Sequence, residues 1–214
     1  MMNILSFDCA NRSLAVCYLT INTNIMSDLA AAYKTGCVDK IRDAVNSYVA
    51  IRHLKVYDVT EGKKIGTVDR AHLLRGCLNS VDAALSELPE PWRTPHTVLV
   101  EYQMSANDKS RCVSQQLVYH YAGREGVTVE LVGPSLKNKV CFTKELEYGV
   151  FAERYASKYT ANKNHAKANL LYWLQLYDMK GVIEAGAIRK ANLDDVADAF
   201  MQIFGWMVRQ GGRR

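Results

Sequence analysis

Two short apolar runs in this chain each end in an acid: Asn3-Ile4-Leu5-Ser6-Phe7-Asp8 and Val98-Leu99-Val100-Glu101. Both predict strands, over residues 2–8 and 97–101. A second strand is expected over residues 14–21, after the polar turn Asn11-Arg12-Ser13, and a third over 51–59, where β-branched and aromatic residues are dense. Between these two, Ile41, Ala44, Val45 and Tyr48 recur at helical spacing, so residues 23–50 read as an insertion of one or two short helices. Leu73, Leu74, Cys77, Leu78, Val81 and Leu85 form one face of a helix over 68–88, stopped by Pro89 and Pro91. A helix over 110–122 ending at Gly123 and a strand over 127–132 closed by Gly133-Pro134 follow. The rest is helical in pattern, over 144–159, 164–178 and 193–208. Early strands in hairpin order, then alternating helix and strand, then helices, describe an α/β protein with a mixed sheet.

Asp8 and Glu101 therefore both stand at strand carboxyl ends, where open α/β sheets gather their ligands. A third acidic group, Asp194-Asp195-Val196-Ala197-Asp198, opens the last helix. Asp198 lies three positions after Asp195 and four after Asp194, so each pair shares a helix face. Asn192 as N-cap and the helix macrodipole account for Asp194. They do not account for Asp198, one turn deeper and flanked by Ala197, Ala199 and Phe200. If these acids meet, two carboxylates about 5 Å apart repel by roughly 3 kcal/mol at an effective dielectric of about 20, and a divalent cation relieves that cost. All-oxygen ligands suit magnesium or manganese.

Composition narrows the classes. At 214 residues with 49% apolar content, the chain is expected to fold as one domain over its whole length. It holds no apolar run of about 18 residues and no N-terminal signal pattern, which predicts a soluble, intracellular protein without membrane association. The six cysteines (Cys9, Cys17, Cys37, Cys77, Cys112, Cys141) contain no C-x-x-C pair and read as reduced, partly buried thiols. The five histidines have no zinc-binding spacing. Net charge is only +5, but seven basic residues (Lys137, Lys139, Lys144, Arg154, Lys158, Lys163, Lys167) face three acids between Pro134 and Lys167, and the tail adds Arg209, Arg213 and Arg214. That bias is compatible with a phosphate-backbone partner.

At Ile4-Leu5-Ser6-Phe7-Asp8, Val98-Leu99-Val100-Glu101-Tyr102-Gln103 and Asp194-Asp195-Val196-Ala197-Asp198-Ala199 the chain resembles the RNase H-like superfamily, and within it the RuvC-like Holliday junction resolvases of the poxvirus type. The order of these motifs and their element types match across most of the chain. The resemblance implies an RNase H-like mixed sheet, three antiparallel strands followed by two parallel ones, flanked by helices. It implies that Asp8, Glu101, Asp195 and Asp198 bind metal, two Mg²⁺ per site with Mn²⁺ substituting, and that no small-molecule cofactor is needed. Family enzymes also place lysines near the scissile phosphate. Lys137, in Gly133-Pro134-Ser135-Leu136-Lys137, fits one; Lys163 and Lys167 both fit the other, with a slight preference for Lys167. Cys9-Ala10 follow Asp8 where bacterial relatives place a glycine two residues on, and the stretches 23–50 and 141–160 are longer than the viral family requires. Within the second, Tyr148, Phe151, Tyr155 and Tyr159 stand at helical spacing, a pattern for core or dimer packing more than base stacking.

The resemblance thus implies a structure-selective endodeoxyribonuclease that resolves four-way DNA junctions, works as a homodimer, and leaves 5′-phosphate and 3′-hydroxyl ends. If it is viral, host cytoplasm or nucleus is its compartment. Two other activities fit the same fold: a nuclease for RNA–DNA hybrid or other branched DNA, and an inactive junction-binding protein. An actin-like or sugar-kinase-like ATP module would need a second glycine-rich phosphate loop, which the sequence lacks.

Overall fold

The protein is described here by a computed structural model covering residues 1–35, 40–44, 49–103, 107–176 and 192–212. Cys37, Val45, Tyr48, Arg213 and Arg214, and the last two positions of the helix expected over 164–178, lie outside these residues. The chain divides into two compact units: a sheet unit, Met2–Thr20 with Ile51–Pro134, and a helical unit, Ile21–Ala50 with Ser135–Arg214 and Met1.

Five strands appear close to their expected positions: β1 (Met2–Cys9), β2 (Ser13–Ile21), β3 (Val49–Asp58), β4 (Thr97–Glu101) and β5 (Thr128–Val132). Their order is β3-β2-β1-β4-β5, antiparallel among the first three in sequence and parallel from β1 through β4 to β5. The fold class expected from the sequence is the one observed. β4 is buried at every position, as is β1 beyond its first residue, which is why both read as unbroken apolar runs. One face of the sheet (Leu5, Phe7, Cys9, Leu14, Val16, Tyr18, Val98, Val100) packs with helix α2 (Arg70–Ser86) through Leu73, Cys77 and Val81, and with helix α3 (Asp108–Ala122) through Val113, Leu117 and Tyr121.

Local chemistry sets the ends of these elements. Asp69 caps α2, its carboxylate accepting from the His72 N–H at 2.7 Å. Within α2, a Cβ at Gly76 would lie 2.0 Å from the Val59 carbonyl oxygen, so only glycine permits that approach. Asn11, in the turn after β1, ties that turn to α3: its side-chain oxygen accepts from both the N–H and the hydroxyl of Ser110, at 3.2 and 2.9 Å.

The helical unit contains α1 (Ile25–Lys34), a 3₁₀ turn (Leu136–Lys139), α4 (Tyr148–Arg154), α5 (Lys158–Leu176) and α6 (Leu193–Gly211). Residues 40–44, within the expected insertion, are also helical. α6 is buried from Val196 to Met207 and packs against α1, α5 and the 3₁₀ turn. Two of its glycines make those approaches possible: a Cβ at Gly205 would lie 2.3 Å from the Leu136 carbonyl oxygen, and one at Gly211 would lie 2.0 Å from that of Met26. Phe142, Phe200, Phe204 and Trp173 form an aromatic core.

The expected helix over 144–159 is a correction. A 3₁₀ turn (Lys144–Leu146) and short α4 take its place, and α5 then begins at Lys158, six residues before the expected start. Tyr155 is extended, and Ser157 opens α5, its hydroxyl accepting from the Thr160 N–H at 3.4 Å and its carbonyl from the Ala161 N–H at 2.9 Å. The first turns of α5 are polar (Lys158, Thr160, Asn162, Lys163, Asn164), so no apolar stripe marked them. The aromatic stripe is accordingly broken. Phe151 is buried and stacks on Tyr155 at 6.4 Å, Tyr148 and Phe151 meet the His165 ring edge-on, and Tyr159 is exposed.

Cys9, Cys17, Cys77 and Cys141 are buried free thiols, and Cys112 is a half-buried one. Among the described residues no helix is long and apolar enough to cross a membrane.

Candidate active site

In the sheet unit, β1 and β4 run parallel with Phe7 opposite Val100, so the next residues of the two strands are Asp8 and Glu101. Both stand at strand carboxyl ends and both are 7% exposed. Strand alternation puts them on the face opposite Phe7, Cys9 and Val100. Adjacent strands are about 4.8 Å apart. At that spacing two ionised carboxylates repel by roughly 3 kcal/mol at an effective dielectric of about 20. Gln103 donates from Nε2 to Glu101 Oε2 at 3.2 Å. Burial above all pushes the Cys9 thiol well above the usual thiol range, and the nearby Cys77 thiol and the Asp8 and Glu101 carboxyls push it in the same direction. Cys9 is therefore an inert thiol beside the acid pair.

In the helical unit, Asp194, Asp195 and Asp198 lie on the first turns of α6. Asn192 stands at the N-cap position of α6, as expected, but makes no side-chain capping bond. Lys163 of α5 reaches all three acids, its Nζ 3.3 Å from Asp194 Oδ2, 3.2 Å from Asp195 Oδ1 and 3.4 Å from Asp198 Oδ2. Lys137 of the 3₁₀ turn makes an ion pair with the same Asp198 oxygen. Asp198 is 2% exposed and Lys137 5%, so this pair is held away from water. Asn138, beside Lys137, donates to Asn162, beside Lys163, at 2.9 Å. That bond links the segments that carry the two lysines.

The sequence preference between the lysines meets a different arrangement here. Lys163 makes the ion pairs to the acids, whereas Lys167, one turn later and half-buried, is in none of those formed among the described residues. Sequence reasoning also missed the Asn138–Asn162 link, for which an asparagine beside Lys137 and another beside Lys163 were the only signal.

Among the described residues no three His, Cys, Asp or Glu side chains are gathered as a ready metal site. The donor chemistry nevertheless suits a hard divalent cation, being carboxylate oxygen throughout. One cationic centre, the Lys163 ammonium, already sits against three of those carboxylates.

No protein-family model matches the chain, and no curated protein sequence matches it. Solved structures do. The fowlpox virus resolvase in complex with substrate Holliday junction DNA aligns over 98% of this chain and 99% of its own, at 13% identity and a TM-score of 0.59. The fowlpox virus Holliday junction resolvase by itself aligns over 98% and 99%, at 14% identity and a TM-score of 0.50. The yeast mitochondrial Holliday junction resolvase aligns over 99% of this chain and 81% of its own, at 14% identity and a TM-score of 0.56. The sheet and its flanking helices thus define an RNase H-like fold. More particularly, the fold is shared with the Holliday junction resolvases of fowlpox virus and yeast mitochondria.

Proposed function

We propose that this protein is a structure-selective DNA endonuclease that resolves four-way junctions by metal-assisted phosphodiester hydrolysis. The observation that carries this reading is the buried pair Asp8 and Glu101, at the carboxyl ends of neighbouring parallel strands, in a chain with the fold of proteins that resolve Holliday junctions.

Asp8, Glu101, Asp195 and Asp198 are the proposed ligands for two Mg²⁺ ions, with Mn²⁺ able to replace them. When bound, such ions supply an activated water and stabilise the departing 3′ oxygen. Gln103 holds one Glu101 oxygen and so orients that carboxylate. Lys137 offers its ammonium to charge that develops on the phosphate oxygens. Lys163, favoured over Lys167 by its contacts with the acids, is the second proposed phosphate-contacting lysine. A homodimer is the proposed assembly, because resolving a four-way junction needs two matched cuts related by two-fold symmetry.

The test is cleavage of a labelled four-way junction with Mg²⁺ omitted and restored, beside a linear duplex and an RNA–DNA hybrid. Asp8→Asn and Glu101→Gln should each lower junction cleavage by at least about a hundredfold while leaving junction affinity within about threefold. Cutting that survives both substitutions, or that ignores Mg²⁺, would refute the assignment. Preference for the hybrid would keep the fold and change the substrate.

A further inference from the structure

The carboxylates of α6 are held by the chain's own cations. Lys163 Nζ lies between 3.2 and 3.4 Å from an oxygen of each of Asp194, Asp195 and Asp198. Asp198 Oδ2 bears two ammonium groups, those of Lys137 and Lys163. A magnesium ion bound to that oxygen at about 2.1 Å would lie within a few ångströms of both. Two positive charges cannot share such a place with a third without strong repulsion, and here burial weakens the screening that would soften it.

We propose that Lys137 and Lys163 act as internal counter-ions that keep divalent cation off the α6 carboxylates until the phosphates of bound DNA draw an ammonium away. This inference rests on the nuclease reading and adds a coupling to it: substrate loads the metal. Lys163 is the mobile member. Its side chain is 16% exposed against 7% for Lys137, and it reaches the acids from a polar helix turn. The exposed ring of Tyr159 already lies 5.8 Å from Nζ, within cation–π range. The arrangement spares the DNA-free protein two costs: an uncompensated acid cluster, and a loaded nuclease with nothing to cut.

Binding of Mn²⁺ to the full-length protein, followed by the paramagnetic resonance of the free ion, tests the coupling. Without DNA, Lys163→Gln should bind Mn²⁺ on the order of tenfold more tightly than the wild type, because one unit charge has left the neighbourhood of the site. A nicked duplex, which carries the product's phosphates, should tighten Mn²⁺ binding to the wild type and change the variant little. A second measurement needs no substitution: saturating the wild type with Mn²⁺ should make Lys163 more reactive toward an acylating reagent, read by mass spectrometry. Equal or weaker Mn²⁺ binding by Lys163→Gln, or Lys163 reactivity unchanged by Mn²⁺, overturns the inference. If the wild type cuts junctions while either of those results holds, this inference fails alone. If the wild type neither binds Mn²⁺ in the presence of DNA nor cuts, the nuclease reading fails and takes the inference with it.

Discussion

His165 offers a quantitative test of the helical unit that does not depend on any enzymatic assignment. Its side chain is fully buried in α5, with the Tyr148 and Phe151 rings edge-on at 5.7 and 5.6 Å. Neither ring nitrogen has a hydrogen-bond partner among the described residues, and burial pushes its pKa down from 6.5 to about 4. The folded protein therefore keeps this imidazole neutral, while the unfolded chain takes up a proton below pH 6.5. Stability is complete above that value and is lost as pH falls toward 4, below which this residue adds no further loss. A gap from 6.5 to about 4, at about 1.4 kcal/mol per unit, amounts to roughly 3 kcal/mol. Replacing His165 with Phe keeps a ring against Tyr148 and Phe151 and removes the titration. Urea unfolding of both proteins at several values between about pH 7 and pH 4.5 gives the difference in stability, in which every other titrating group cancels. That difference should shift in favour of His165→Phe by about 1.4 kcal/mol for each unit of pH below 6.5. A difference that stays constant across the range would show that the folded protein accepts the proton, and the argument from burial would be wrong.

Further outcomes follow from the same contacts. Asp198→Asn removes the charge of a buried ion pair with Lys137 and should cost about 3 kcal/mol in urea unfolding, whereas Asp195→Asn, at a more exposed position, should cost about 1 kcal/mol or less. Gly205→Ala would push a methyl into the Leu136 carbonyl and should destabilise by about 1 to 3 kcal/mol, with Lys137 becoming reactive to acylation as its turn lifts from α6; Lys137 still protected in a destabilised variant would show that the helix yielded and the turn did not. Asn11→Ala removes the acceptor for both Ser110 donors and should cost about 1 to 2 kcal/mol, with faster hydrogen exchange at the start of α3.

Much of the fold was legible because its signals are local. β1 and β4 were plain from runs whose members are all buried, and α2 from an apolar face that ends where Pro89 forbids continuation. The start of α5 was not legible, because its polar first turns carry no periodic stripe and only the hydrogen bonds of Ser157 show where the helix begins. The aromatic residues at positions 148, 151, 155 and 159 matched a helical period that the backbone does not follow: Tyr155 is extended, so spacing alone misled.

The sequence by itself determined which residues carry charge where apolar side chains would otherwise stand, since an acid that ends an apolar run is visible without any knowledge of its neighbours. Tertiary structure alone decided what those charges meet. Asp8 faces Glu101 because β1 and β4 pair in parallel across a long stretch of chain, and no local rule sets that register. Lys163 and Lys167 differ by one helical turn, and the chain read by itself gave only a slight preference, for Lys167. Where α5 begins, and how it packs against α6, brings Lys163 to three carboxylates and leaves Lys167 aside, because an ion pair is settled by a few ångströms that only the packed fold defines.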